Sequence, residues 1–251
     1  MKEAIHNTRI LLIHAMVATA SFLRAPVYAD DEGDEIAFSR TKIFIEFNAS
    51  AEDVGIQVLL DGEPWKKLQV FDPGNRRILD VAGTKSLAEQ GLTEFFFESS
   101  EPSLRDVPLR EFLARFPRGK YEFEGETIDG IELEGTAVLS HRIPAGPEIV
   151  SPVSPNDDPP VVDPNNLVIE WEPVTETITG SRNLKITGYQ VIVEQVEPPR
   201  VFSIDLPGSA TSVMVPPGFL VQPGTLHLFE VLAIEKSGNQ TITEGEFVTL
   251  P

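Results

Sequence analysis

Apolar and polar residues alternate along most of this 251-residue chain from Thr41 onward. In the segment Thr41–Asn48, this alternation places Ile43, Ile45 and Phe47 on one side of an extended strand. Turn-forming residues separate such segments at intervals of about 8 to 12 positions. A period of two with frequent turns is typical of short antiparallel strands, so the sequence predicts an all-β sandwich.

The first half of this pattern, residues 36–146, predicts about seven strands. Val54–Leu60 and Trp65–Phe71 flank Asp61-Gly62-Glu63-Pro64, which is typical of a hairpin turn. Thr93–Ser99 contains three consecutive phenylalanines, and this predicts a strand with both faces covered. The segment Ile131–Ile143 is expected to pair with the preceding strand around Asp129-Gly130.

One amphipathic helix is expected to interrupt these strands. Asp106 and Pro108 suit a helix start, and apolar residues then recur at helical spacing as far as Phe116. Residues 36–146 are therefore predicted to form an immunoglobulin-like sandwich with one inserted helix.

A boundary is expected at Ile143-Pro144-Ala145-Gly146-Pro147, because two prolines in five residues cannot continue a central strand. Beyond it, residues 147–251 again predict seven strands. The chain is thus divided into a predicted signal peptide at 1–29, an acidic stretch expected to be disordered at 30–35, and two tandem β-sandwich domains at 36–146 and 147–251. The connection between the sandwiches is short and stiff, so they are expected to stand end to end with limited hinge motion at Gly146.

Three motifs in the second half carry a family resemblance. Val168-Ile169-Glu170-Trp171-Glu172-Pro173, Gly188-Tyr189-Gln190-Val191-Ile192-Val193 and Leu220-Val221-Gln222-Pro223-Gly224-Thr225-Leu226-His227 are similar to strand motifs of fibronectin type III domains. The resemblance covers residues 147–251 and places Trp171 in the core. His227 stands where the family has a tyrosine. The resemblance implies a domain for protein binding, spacing or display, without catalysis.

The alternation also puts His227, Phe229 and Val231 on one strand face, which predicts that they are structural core residues. The first half matches no family as clearly. Its turn Val70–Arg76 only loosely resembles one found in bacterial immunoglobulin-like modules.

The N-terminal segment is typical of an export signal. Lys2 and Arg9 precede the apolar run Ile10–Leu23, which is shorter than the about 20 residues that span a bilayer. Small residues at Val27 and Ala29 predict cleavage after Ala29. The alternative is a buried N-terminal helix.

Charge and cysteine content exclude several classes of partner and chemistry. The formal net charge is −19, which disfavours binding to nucleic acid or to anionic membrane surfaces. The chain has no cysteine, so it forms neither a disulfide nor a thiolate metal site. An exported chain without disulfides favours a bacterial periplasm, or secretion to the bacterial surface. No membrane insertion is expected after cleavage.

A search for catalytic motifs indicates no enzyme and no cofactor. His141 and His227 both fall in predicted strands, and neither HExxH nor GxSxG occurs. The best metal hypothesis is calcium at an oxygen-rich loop containing Asn156, Asp157, Asp158 and Asp163. The alternative is a solvated acidic loop.

The sequence therefore favours a non-catalytic module that binds or spaces macromolecules, with an unidentified protein or glycan partner at the cell envelope. A carbohydrate-binding protein is the second hypothesis, and it requires an exposed Trp65. A small hydrolase is the third, and it requires two carboxylates that converge in a cleft.

Overall fold

A computed structural model describes residues 35–154, 156 and 158–251, and the predicted signal peptide lies outside them. The first half contains seven strands and two short helices among these residues. They are β1 (Glu35–Ala37), β2 (Arg40–Asn48), β3 (Asp53–Phe71), β4 (Arg77–Ala82), α1 (Ser86–Gln90), β5 (Leu92–Glu98), α2 (Leu109–Arg115), β6 (Gly119–Thr127) and β7 (Glu132–Leu139).

Strand β3 organises the first half because it belongs to two layers. Its first part pairs with β2 and β5, and its second part pairs with β4 and β6. The register shifts between Asp61 and Trp65, where the strand passes from one layer to the other. The two layers enclose a core that includes Ile45, Val58, Trp65 and Phe123.

The prediction of a hairpin turn at Asp61-Gly62-Glu63-Pro64 is therefore wrong. The segments on either side of it are one continuous strand, and they pair with different neighbours rather than with each other. Each segment buries its apolar face against its own partners, and this tertiary pairing outweighs the local turn preference.

The expectation that β5 has both faces covered is also wrong. Phe95 and Phe97 pack against the core, whereas Phe96 points to the opposite face and is 41% exposed.

The predicted helix and the second hairpin are present, but the N-cap of the helix is Pro108 rather than Asp106, and β7 ends at Leu139, so His141 lies outside the predicted strand. Helix α2 buries Phe112 against the core, and it starts at Leu109 directly after Pro108. Strands β6 and β7 pair antiparallel around Asp129-Gly130, where Gly130 has a φ of 87°. The short helix α1 was not expected from the sequence.

The second half contains eight strands among the described residues. They are β8 (Ile149–Ser151), β9 (Val161–Val162), β10 (Val168–Trp171), β11 (Ile186–Gln195), β12 (Arg200–Pro207), β13 (Ser212–Met214), β14 (Leu226–Glu235) and β15 (Gln240–Thr249).

These strands form two facing sheets. One has the order β13-β10-β8, and the other has the order β12-β11-β14-β15 with β9 added beside β15. A second core lies between them and includes Trp171, Tyr189, Phe229 and Phe247. The predicted all-β architecture, with a sandwich of the fibronectin type III kind in the second half, is confirmed.

Candidate functional site: the seam between the two halves

The two halves are joined by direct strand pairing, which we call the seam. The start of β15 runs parallel to the end of β2, with Gln240 opposite Glu46 and Ile242 opposite Asn48. The amide of Ala49 extends the ladder by donating to the Ile242 carbonyl at 2.8 Å. Sheets from both halves thereby become one continuous sheet.

Asn239 holds the centre of the seam from the turn between β14 and β15. Its side chain is 1% exposed. Its Oδ1 accepts a hydrogen bond from the backbone N–H of Ile45 at 2.9 Å. Its Nδ2 lies 3.0 Å from the Ser140 carbonyl and 3.1 Å from the Arg142 carbonyl, and it donates to both. One amide thus satisfies backbone groups of two segments of the first half.

The predicted linker is packed into the same seam. The Thr241 hydroxyl donates to the Pro144 carbonyl at 2.6 Å. A Cβ on Gly146 would lie 2.6 Å from Ala49 Cβ and 2.8 Å from Thr243 Oγ1, so Gly146 is enclosed on both sides. This packing contradicts the expectation of a hinge at Gly146, because hinge motion there would break contacts with both halves.

Three carboxylates converge beside the seam. Oxygens of Glu46, Glu98 and Glu101 lie within 4.8 Å of one another. Glu46 is 2% exposed and accepts a hydrogen bond from Gln240 across the seam. Glu101 occupies the space above Gly55, where a Cβ would lie 2.9 Å from Glu101 Cγ.

Burial raises the pKa of Glu101 to about 8, and repulsion from Glu98, Glu46 and Asp53 adds to this shift. The carboxyl of Glu101 is therefore mostly protonated at neutral pH. A proton shared in this cluster relieves the repulsion between like charges that the fold brings together.

This raised pKa predicts a pH-dependent stability. Because the folded protein binds the Glu101 proton more tightly than the unfolded chain, the contribution of Glu101 to the free energy of unfolding should fall as pH rises from about 5 through about 8. Glu101→Gln keeps the neutral form, so we expect it to flatten this slope and to stabilise the protein by about 1–2 kcal/mol at pH 9. Urea denaturation from pH 5 to pH 9 measures both effects. The same slope in the wild type and in Glu101→Gln would contradict the assignment.

The cluster lacks the spacing of a glycosidase pair, because its carboxylate oxygens lie within 4.8 Å of one another. A pair of catalytic carboxylates must flank a substrate, with space for a sugar ring between them. Here Glu46 is buried and bonded to Gln240, and Glu101 fills the hollow at Gly55. Two surface hollows of the described structure lie elsewhere, around Asp163 and around Glu124.

The sequence analysis missed this cluster because its members are far apart in the chain. A weak signal existed, since Glu46 lies between Ile45 and Phe47 in an otherwise apolar strand. That signal cannot name Gln240 as its partner, which is 194 positions away.

The structure describes three of the four residues of the calcium hypothesis. Asn156 and Asp158 are exposed, and Asp157 lies outside the described residues. Asp163 is bonded within its own loop, because Oδ1 accepts from the Asn165 N–H at 2.9 Å and Oδ2 accepts from Asn166 Nδ2 at 2.7 Å. These bonds hold the pKa of Asp163 below its ordinary value. Calcium binding at this loop stays a prediction.

The predicted core residues Trp171, His227, Phe229 and Val231 are all buried in the second half. The His227 ring stacks on Phe247 at a centroid distance of 5.0 Å. Its Nδ1 lies 3.0 Å from the Thr225 carbonyl, to which it donates. Burial lowers the pKa of His227, so the ring is neutral at pH 7.

His227→Phe tests this structural role. The Thr225 carbonyl still accepts from the Thr249 N–H at 3.1 Å, so we expect stability at pH 7 to change by less than about 1 kcal/mol. The titration of His227 should lower the free energy of unfolding as pH falls below about 6.5, because the unfolded chain binds the histidine proton more tightly, and in the wild type this contribution opposes that of Glu101. His227→Phe should lose less, which urea denaturation at pH 7 and pH 5 would measure. A loss of more than about 3 kcal/mol at pH 7 would contradict a purely structural role.

Trp65 and His141 also have structural positions. Trp65 is fully buried, with its ring edge-to-face against Phe95 at 6.3 Å between centroids. The exposed tryptophan required by the carbohydrate-binding hypothesis is therefore absent at this position. The Nε2 atom of His141 lies 2.9 Å from the carbonyl of Phe116. Over residues 35–154, 156 and 158–251, the structure contains no helix that is long and apolar enough to cross a membrane.

In the comparison with known proteins, similarity to this chain was found among solved structures only. No family model and no curated protein matches the chain. The FN1–FN3 domains of chicken CNTN1 are 11% identical at a TM-score of 0.30, over 87% of this chain and 66% of that one. A segment of two fibronectin type III domains from chicken tenascin is 10% identical at a TM-score of 0.29, over 83% of this chain and 99% of that one.

A bacterial ice-binding adhesin is 15% identical at a TM-score of 0.26, over 85% of this chain and 65% of that one. The chain thus spans less than two thirds of the lengths of the CNTN1 and adhesin structures. The fold assignment rests on the strand order and the two cores of this chain, rather than on these likenesses.

Proposed function

We propose that this chain is an exported, non-catalytic module that binds or spaces proteins at the cell envelope. The observation that carries the proposal is the seam. Strand pairing and the buried Asn239 tie two β-sandwich halves into one unit, Glu35–Pro251. A unit of this kind holds surfaces on its two halves at a fixed separation and orientation, which is what a spacer or a two-sided binding module requires.

The arrangement of titratable side chains supports a non-catalytic role. Of the carboxylates that converge beside the seam, Glu46 is buried and Glu101 fills the hollow at Gly55. The two histidines of the described residues each contact a backbone carbonyl. No observation on the described residues favours the hydrolase or the carbohydrate-binding hypothesis over a binding module.

Export and envelope location rest on the sequence. The apolar run Ile10–Leu23 ends shortly before Ala29 and is followed by acidic residues from Asp30 onward. The absence of cysteine fits a bacterial periplasm or surface better than an oxidising animal secretory route.

Fractionation of cells that express the full chain tests this proposal. We expect the protein in the periplasmic or extracellular fraction, and its intact mass should be that of a chain that starts at Asp30. Chemical cross-linking in that fraction should then yield a discrete protein adduct. Retention of Met1–Arg24 in a cytosolic product would contradict export, and turnover of a glycan or peptide substrate would contradict the non-catalytic role.

A further inference from the structure

Within the part of the chain that the structure describes, strand β5 presents an unpaired edge of the sheet. Among the described residues it pairs with β3 on one side, and no strand pairs with its other side. The segment Glu94–Glu98 keeps an unbroken register with β3 and contains neither proline nor lysine. Natural proteins commonly use such residues, or a bulge, to block an exposed edge.

The register shows which backbone groups this edge offers. The N–H of Ser99 donates to the Ile56 carbonyl at 2.9 Å, so the hydrogen-bonded pairs with β3 fall on odd-numbered residues of β5. The N–H and C=O groups of Glu94, Phe96 and Glu98 therefore point away from β3. They form a row of donors and acceptors at the spacing that an added strand requires.

The side chains of the same three residues share one face and have a distinct pattern. Phe96 is 41% exposed, and a carboxylate lies two positions away on each side of it. The guanidinium of Arg40 is 3.8 Å from Glu94, whose side chain remains 55% exposed. Glu98 is exposed and lies beside the buried Glu46, so two carboxylates stand at this end of the edge, whereas the neighbouring Glu101 is mostly protonated.

We infer that the outer edge of β5 binds an extended segment of a protein partner, with an apolar residue opposite Phe96 and a lysine or arginine opposite both Glu94 and Glu98. Backbone hydrogen bonds supply a general affinity for a strand, and the charge pattern selects a basic-x-apolar-x-basic segment. The inference rests on the proposed binding function and assigns its partner class and its position.

A second copy of this chain fits the edge less well. In an antiparallel pair of β5 strands centred on Phe96, Glu94 of one copy would face Glu98 of the other. In a parallel pair in register, each glutamate would face its own counterpart. Like charges directly opposite each other destabilise paired strands, and the net charge of −19 adds a general repulsion between copies.

NMR titration of the ¹⁵N-labelled full chain with two synthetic peptides tests the inference. One peptide has the sequence Thr-Lys-Thr-Val-Thr-Lys-Thr, and the other has glutamate in place of both lysines. We expect the lysine peptide to shift the amide signals of Glu94, Phe96 and Glu98 and to protect them from hydrogen exchange. The glutamate peptide should bind about tenfold more weakly, because two ion pairs are replaced by repulsion.

Two matched variants locate the site. Phe96→Lys places a charge on the exposed face without removing a backbone bond to β3, and it should abolish binding of the lysine peptide. Val201→Lys changes a 61% exposed residue on the edge strand β12 and should leave binding unchanged.

No shift at β5, or equal affinity for both peptides, would overturn the inference. So would concentration-dependent protection of the same three amides without peptide, since that result would assign the edge to a second copy. None of these three results would affect export or cross-linking of the protein, so failure of the inference is distinguishable from failure of the proposed function.

Discussion

Asn239→Ala is expected to lower the free energy of unfolding by about 3 kcal/mol and to uncouple the two halves. The substitution leaves the buried N–H of Ile45 and the carbonyls of Ser140 and Arg142 without the amide that satisfies them. Each buried polar group without a partner costs about 1–3 kcal/mol. Because all three groups lie in the seam, the loss falls on the coupling between the halves rather than on either core.

The two tryptophans allow each half to be followed separately, since Trp65 lies in the first core and Trp171 in the second. Urea unfolding of Trp65→Phe and Trp171→Phe backgrounds should give coincident transitions with Asn239 present and separate transitions with Asn239→Ala. Asn183→Ala, at an exposed position, is the matched control and should change stability by less than about 0.5 kcal/mol. Coincident transitions in Asn239→Ala would show that this residue does not couple the halves.

Trp65→Ala is expected to destabilise the protein by about 4 kcal/mol, a larger effect than that of Asn239→Ala. Trp65 is fully buried between the layers that share β3, and its removal leaves a cavity beside Phe95 that the core cannot fill. Urea unfolding followed by the fluorescence of Trp171 measures the loss. Trp65→Phe preserves most of the volume and should cost clearly less.

Trp65→Ala also distinguishes a core role of this tryptophan from a sugar-binding role. A tryptophan that stacks on a glycan would reduce glycan affinity on replacement and change stability by less than about 1 kcal/mol. That outcome would contradict the structural position of Trp65.

The second half of the fold was predictable because its local and tertiary signals agree. Strands β11, β12, β14 and β15 lie within a residue or two of the segments whose alternation predicts strands, which are 186–196, 201–206, 225–235 and 241–250. In each, the alternating pattern, the flanking turn residues and the buried face indicate the same structure. Consistency of this kind is what allows local reasoning to succeed.

The first half was predicted less well where one local signal fits two structures. Asp61-Gly62 favours a hairpin turn, but the same residues also suit a register shift within β3. Only the pairing of β3 with β5 and β6 decides between them. The consecutive phenylalanines of β5 likewise have no alternation, so their sequence cannot reveal that Phe96 faces away from the core.

The seam could not be predicted from the sequence because it depends on contacts between distant segments. Asn239 follows a glycine, and this pattern alone is typical of an ordinary turn. Its partner Ile45 is 194 positions away, and Glu46 and Gln240 are separated by the same distance. A single sequence contains no information on such pairs beyond the presence of polar residues in apolar strands.

Residual dipolar couplings of backbone amides test the central claim, that the two halves are one rigid unit, most directly. We expect a single alignment tensor to fit the strands of both halves, β2–β7 and β8–β15, because the seam fixes their relative orientation. Two tensors of clearly different magnitude would show that the halves reorient independently, and would contradict the claim.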